Sequence, residues 1–269
     1  MEIITRNVVK KLFVPAPSSH KGQNGVLLAI GGSEKYHGAP LLAINAASRF
    51  VDLVYFYSPA KLNHAVLAKM KSSSNCFISL PKKDVFSVAA KCDCILIGNG
   101  LELNARNKRL VNALLRKFPH KKIVLDAAAL HLADANLLGP NTLVAPHPLE
   151  FKALFGVVAS PEEVKRQAHV HDCVVLLKKG FCFITDGFAL AQNKNGNQGM
   201  TKGGTGDVLA GLAAAFACKN PLLLSAEAAA FLNGLAGDML KKKKGLNYNA
   251  DDLAEELPFA FAKLRGMRK

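Results

Sequence analysis

The sequence predicts one α/β domain, a mostly parallel sheet with helices on both faces, and three observations carry that expectation. Short apolar runs of β character alternate with helical periods along almost the whole chain, which is the pattern of repeated strand-helix-strand units. A chain of 269 residues with 50% hydrophobic and 20% charged content can bury one large core. The residues that carry chemistry follow apolar runs directly, where a parallel sheet gathers its ligand-binding loops.

The elements follow in order. Val26–Ile30 reads as a buried strand, Gly31-Gly32-Ser33 turns the chain, and Pro40 opens a helix through Arg49, as suits proline at a first helical position. Residues 52–57 form the next strand, and Pro59 starts another helix. Further strands are expected at 76–80, 93–97, 123–125, 143–144 and 173–177. Helices fill 104–118, 148–155, 161–169, 205–216, 225–243 and 250–264. No internal repeat or low-complexity linker interrupts them, so residues 1–269 are read as a single domain. Right-handed crossovers put all strand C-termini on one edge. The segments 31–39, 98–101, Asp126 and 146–150 therefore meet at one end of the sheet.

Composition narrows the function classes. The formal net charge is +15, but the basic residues are spread as Lys10-Lys11, Lys82-Lys83, Lys121-Lys122, Lys178-Lys179 and 241–244. That spread suits small anionic ligands or plain solubility better than a nucleic-acid arm. With no Trp and only four Tyr, the chain lacks the stacking aromatics of a nucleic-acid binder, and no nucleic-acid partner is expected. None of the six cysteines has Cys-x-x-Cys spacing, and they read as buried thiols in a reducing cytosol. The first 25 residues carry scattered charges with Pro15 and Pro17 where a signal peptide has an unbroken apolar core. The longest apolar stretch, 208–218, is broken by Gly211 and falls far below the ~20 residues of a membrane span. A cytoplasmic protein without a membrane partner is expected.

The most informative run is Asn197-Gln198-Gly199-Met200-Thr201-Lys202-Gly203-Gly204-Thr205-Gly206-Asp207, just before an apolar helix. Glycines let successive backbone N–H groups converge on an anion, and the helix dipole adds positive potential at the same point. Asp207, in the first turn, would stand beside a phosphate as a base. A tight turn with a first-turn aspartate favoured by the dipole would have the same sequence. His147, between Pro146 and Pro148, has its backbone restricted on both sides, which suits a side chain that orients a substrate. A rigid strand-to-helix turn whose histidine reaches solvent or Glu150 fits that pattern too, and Glu150 is at least as well explained as a first-turn carboxylate as by catalysis.

Five ordered segments together resemble the NAD(P)H-hydrate dehydratases, a branch of the ribokinase-like kinases. They are Gly31-Gly32-Ser33-Glu34-Lys35-Tyr36-His37-Gly38-Ala39-Pro40, Ile97-Gly98-Asn99-Gly100-Leu101, Val144-Ala145-Pro146-His147-Pro148-Leu149-Glu150-Phe151, the glycine-rich run, and Asn233-Gly234-Leu235-Ala236-Gly237-Asp238. The resemblance implies a ribokinase-like three-layer sandwich and a lyase that restores NADH and NADPH from their hydrates, with ADP or ATP as co-substrate and Mg2+ accompanying the nucleotide. It implies that Asp207 is catalytic and contacts the substrate hydroxyl, that Ala39, Gly100 and His147 line the substrate pocket, and that Gly206 lies against the nucleotide phosphate. It aligns Lys179, Gly180, Phe181, Cys182 and Phe183 with the adenine-nucleotide segment, although Lys179 could equally be a solvated lysine ending a strand. It implies a homotetramer, to which the helix with Ala228, Ala229, Ala230 and Phe231 could contribute, and a partner epimerase on a separate domain outside these residues. No carboxylate cluster identifies a metal site.

The chain departs from the family pattern at Asp126-Ala127-Ala128-Ala129-Leu130, where a second acid usually stands at Ala128, and at Leu149, Phe183 and Gln198. Two other readings stay open. One is a ribokinase-like small-molecule kinase that leaves the phosphate on its product; the other is a non-catalytic adenine-nucleotide sensor.

Overall fold

The computed structural model describes residues 1–70 and 76–266. Its centre is one ten-stranded sheet. In chain order the strands are β1 (Glu2–Ile3), β2 (Val26–Ile30), β3 (Leu53–Tyr57), β4 (Ile78–Ser79), β5 (Cys94–Ile97), β6 (Lys122–Leu125), β7 (Thr142–Val144), β8 (Val174–Lys179), β9 (Phe181–Thr185) and β10 (Leu190–Asn193). They lie side by side as β1-β10-β9-β8-β7-β6-β5-β2-β3-β4, and β9 alone runs against its neighbours.

The helices are α1 (Asn7–Lys10), α2 (Gly38–Ala47), α3 (Lys61–Met70), α4 (Val85–Lys91), α5 (Ala105–Lys117), α6 (Ala128–Leu132), α7 (Pro148–Phe155), α8 (Pro161–Val170), α9 (Thr205–Ala217), α10 (Leu222–Lys244) and α11 (Ala250–Arg265). Alternating side chains of the strands feed two cores. Leu27, Ala29, Leu96, Val124 and Leu176 face α2, α9, α10 and α11, while Leu28, Ile30, Ile95, Ile123 and Leu177 face α4 to α8. This is the predicted three-layer arrangement. Helix starts follow local chemistry: Asn104 accepts from the Asn107 amide at 2.9 Å, and Ser160 accepts from the Glu163 amide at 3.1 Å ahead of Pro161. Helices α2 and α9 touch where Gly211 meets Ala43, and a β-carbon at Gly211 would overlap the Ala43 carbonyl.

Three expectations need correction. The strand expected at 76–80 is paired only at Ile78 and Ser79, because it sits at the sheet edge and has one neighbour. Pro40 is the third residue of α2, not its first, and brings no penalty there because first-turn amides have no helical partner. Cys76 is exposed and Cys182 half-buried, whereas Cys92, Cys94, Cys173 and Cys218 are buried; all six are free thiols. The hairpin β9–β10 and the two-residue β1 were not foreseen. Ala228, Ala229 and Ala230 are core residues of a single copy, and Phe231 is half-buried.

Candidate active site

Strand order reverses direction between β5 and β2: crossovers from β2 lead to β3 and β4 on one side, and from β5 to β6, β7 and β8 on the other. Loops leaving the two strands therefore diverge and leave a crevice at their C-terminal ends. The Gly32 amide donates to the Asn99 carbonyl at 2.8 Å, tying the two loops together. Gly98 has φ +131°, and any β-carbon there would overlap the Asp126 carbonyl, so the chain turns sharply enough to aim Asn99 into the crevice.

Asn99 is the hub of the site. Its amide nitrogen donates to Asp126 Oδ2 at 2.9 Å and to Asp207 Oδ1 at 2.7 Å, bridging two carboxylates from opposite sides of the crevice. Lys178 Nζ, at the end of β8, lies 2.6 Å from Asp126 Oδ1 and 4.0 Å from Glu150 Oε2. Burial opposes charging Lys178, but Asp126, Glu150 and Asp207 together push its pKa upward, so it remains an ammonium. Asp207 is pushed up to about 7, first by burial and then by the charge of Asp126, with Asn99 and Lys178 pulling the other way. A carboxyl poised near neutrality can accept a proton at physiological pH.

Asp207 and Gly206 occupy the first turn of α9. Gly204, with φ +92°, precedes this helix and offers no capping side chain. The amides of Gly206 and Asp207 donate to no group among the described residues, which leaves them free for an anion at the positive end of the helix. A β-carbon at Gly206 would lie 3.7 Å from Lys178 Nζ, so the ammonium sits beside the same point. Thr205 Oγ1 donates to the Met200 and Lys202 carbonyls at 2.7 and 2.9 Å and holds the glycine-rich run. Asp238 anchors the run's start by accepting from the Gly196 amide and the Asn197 side chain at 3.1 and 3.0 Å.

A cavity of about 260 Å³ opens beside Gly206 and is lined by Lys179, Gly180, Cys182, Asn195 and Asn233, among others. Of the residues aligned with the nucleotide, Lys179, Gly180, Cys182 and Gly206 therefore line this one cavity. Phe183 turns to the other side of β9 and packs into the α4–α8 core, Phe181 is exposed, and neither lines the cavity. Strand alternation is the reason. Gly100 packs against the Tyr36 carbonyl and Pro40, and so joins the loop that carries Ala39.

His147 is half-exposed and caps α7: its Nδ1 accepts from the Leu149 and Glu150 amides at 3.1 and 3.3 Å, while Glu150 Oε2 accepts from the His147 amide at 2.8 Å. Its Nε2 lies 3.3 Å from Glu150 Oε1. Glu150 is thus a buried first-turn carboxylate, the simpler of its two readings. Asn99 and Lys178 were not singled out from sequence. Strand parity carried a signal for Lys178, since it lies on the same face of β8 as Leu176 and opposite Lys179. At Ala128 the side chain is half-buried against the core, and no acid replaces the missing one on that turn.

The sequence profile described as NAD(P)H-hydrate dehydratase matches residues 27–259. The bifunctional NAD(P)H-hydrate repair enzyme of Methanocaldococcus jannaschii is 39% identical over 247 residues, which cover 90% of this chain and 49% of that protein. The chain thus spans about half of that relative's length. The ADP-dependent (S)-NAD(P)H-hydrate dehydratase of Nitrosopumilus maritimus is 39% identical over 94% of each chain. Among solved structures, a ribokinase-like superfamily protein of Enterococcus faecalis superposes with a TM-score of 0.87 at 24% identity, covering 98% of this chain and 96% of that one. The Bacillus subtilis ADP/ATP-dependent NAD(P)H-hydrate dehydratase, co-crystallised with ATP/Mg2+, gives 0.81 at 22% identity, covering 98% of each chain. These two likenesses establish the ribokinase-like fold.

Proposed function

The chain belongs to the NAD(P)H-hydrate dehydratase family, and we propose that it uses ADP or ATP to dehydrate the S form of hydrated NADH and NADPH. The observation that carries this reading is the Asn99 bridge, which holds Asp207 beside Lys178 and the open amides of Gly206 and Asp207. Phosphoryl transfer needs a base near the attacking hydroxyl and fixed positive potential around the moving phosphate. Asp207 takes the hydroxyl proton as the oxygen bonds to the terminal phosphorus and the bond to the nucleotide's bridging oxygen breaks. The ring's C–O bond then breaks, releasing inorganic phosphate, and loss of a proton from the adjacent ring carbon restores the double bond. Phosphate is a much better leaving group than hydroxide.

The amides of Gly206 and Asp207 and the Lys178 ammonium hold the transferring group, and the cavity lined by Lys179, Gly180 and Cys182 takes the nucleotide. Ala39, Gly100 and His147 bound the nicotinamide side. Among the described residues no three carboxylate, imidazole or thiol groups converge as a metal cage. A magnesium ion would enter with the nucleotide and supply charge neutralisation for its phosphates.

The relative whose name specifies ADP supports ADP over ATP. The six free thiols support a reducing cytosol, and no helix among the described residues is long and apolar enough to cross a membrane. We read the solution state as a symmetric tetramer, in keeping with the prevalence of closed point groups. Incubation with hydrated NADH and either nucleotide, followed by NADH absorbance and by assay of free phosphate, tests the activity. Phosphate retained on an organic product would mark a kinase, and nucleotide binding without turnover a sensor.

A further inference from the structure

Two adjoining cavities run along the C-terminal edge of the sheet away from Asp207. The inner one, about 560 Å³, lies between the loops after β2, β3 and β5 and includes Gly32, Tyr36 and Pro59; its charged residues Glu34, Lys35, Lys61, Glu102 and Arg106 nearly cancel. The outer one, about 830 Å³, is floored by Tyr57, Val85, Phe86 and Leu110. Every charged residue that lines it is basic: Lys82, Lys83, Arg106 and Arg109. Arg106 lines both cavities and so joins them. None of the four cations forms an ion pair among the described residues, and neither Asp84, next to Lys82 and Lys83 in sequence, nor Glu102, the acid nearest Arg106 and Arg109, pairs with any of them.

We propose that this outer basic cavity binds the 2′-phosphate on the adenosine end of hydrated NADPH and so sets a preference for the phosphorylated dinucleotide. The inference rests on the substrate reading above and deepens it. Four like charges around one cavity repel one another until an anion fills it, and a phosphate dianion relieves that repulsion most. Arginine forks match phosphate oxygens in pairs, and the apolar floor suits a nucleoside. From β5, whose following loop carries Asn99, to β4 is three strand spacings, roughly 14 Å. An extended dinucleotide with its nicotinamide hydroxyl at Asp207 can reach across that distance. The balanced charge of the inner cavity leaves the outer one as the place where an extra phosphate is felt.

The test compares the two hydrates in wild type and in the Arg109→Gln and Lys82→Gln/Lys83→Gln variants, keeping Arg106 because it also lines the inner cavity that both dinucleotides cross. All four side chains are exposed, so thermal unfolding should be unchanged. KM for hydrated NADPH should rise about tenfold or more, the scale of a lost charge-assisted hydrogen bond, while KM for hydrated NADH and both kcat values stay put. An equal rise for both hydrates would mean that the cations hold the shared pyrophosphate, and would overturn the inference. No rise for either overturns it too. Calorimetric binding of NADPH against NADH needs no turnover, so it decides this inference separately from the activity. Preference for NADPH in wild type, lost in the variants, supports it, and equal wild-type affinity overturns it. Failure of wild type to convert either hydrate would count against the dehydratase reading alone.

Discussion

Helices α7 and α9 both start at the C-terminal edge of the sheet, and they treat their first amides in opposite ways. At α7 the His147 imidazole and the Glu150 carboxylate satisfy the free backbone groups reciprocally, a closed capping box. At α9 a glycine stands at the cap, no side chain closes the turn, and the amides of Gly206 and Asp207 remain open beside the Lys178 ammonium. A helix start that has spent its donors on its own side chains cannot also hold a phosphate; one that has left them free can. On the proposed reading, the open start of α9 takes the phosphate, and the α7 turn supplies rigidity and the proposed His147 contact.

The largest effect should come from filling the open turn. Gly206→Val should abolish ADP and ATP binding in calorimetry yet leave the protein folded, because the glycine faces a cavity and its nearest neighbour is the end of the flexible Lys178 side chain. Unchanged affinity in a folded variant would dissolve the distinction between the two helix starts. Next comes Asp207→Asn, which should bind nucleotide almost normally and lose on the order of 10²-fold or more in turnover, the usual scale for a positioned base. Near-normal turnover there would remove Asp207 from the chemistry.

Asn99→Ala should produce a shift and not a loss. Wild-type kcat/KM should rise with pH through a limb near 7, because the proposed base, Asp207, must be ionised to act and its pKa stands at about 7. The Asn99 hydrogen bond is one of the forces lowering that value, so its removal should move the limb upward. Stability gives an independent check. Folded Asp207 holds its proton from its ordinary value of 3.8 up to about 7, where the unfolded chain has released it, so its contribution to stability falls as pH rises across that window. Asp207→Asn should flatten that slope in urea titrations.

Much of this site was legible in the sequence because its backbone needs are local. Glycines before an apolar helix, prolines on both sides of His147, and acids directly after apolar strands each announce themselves within a few residues. What was not legible depends on parity and distance. Lys178 looked like half of a solvated doublet until β8 put it on one face and Lys179 on the other. Asn99 lies within a quoted motif, yet its role depends on Asp126 and Asp207, which are 27 and 108 residues away. Phe181 and Phe183 were aligned with the nucleotide by segment, while alternation along β9 leaves Cys182, and neither phenylalanine, lining the cavity. The sheet itself was readable wherever strands are buried on both faces, and least so at its edges, where β4 shortens and β1 has two residues.

The smallest effect belongs to His147, and it separates cap from ligand. His147→Ala removes the acceptor for two amides of α7, which should cost about 1 kcal/mol and lower the melting temperature by roughly 2–4 °C. It should also raise KM for the hydrated nucleotide with little change in kcat, as expected for binding shared by ground and transition states, and leave ADP and ATP affinity untouched. His147→Asn restores a good helix cap without an imidazole. If the histidine touches substrate, the asparagine variant should regain its melting temperature and keep the raised KM. Recovery of both would make His147 a cap alone, and a collapse of kcat at normal KM would carry it into the proton transfer assigned to Asp207.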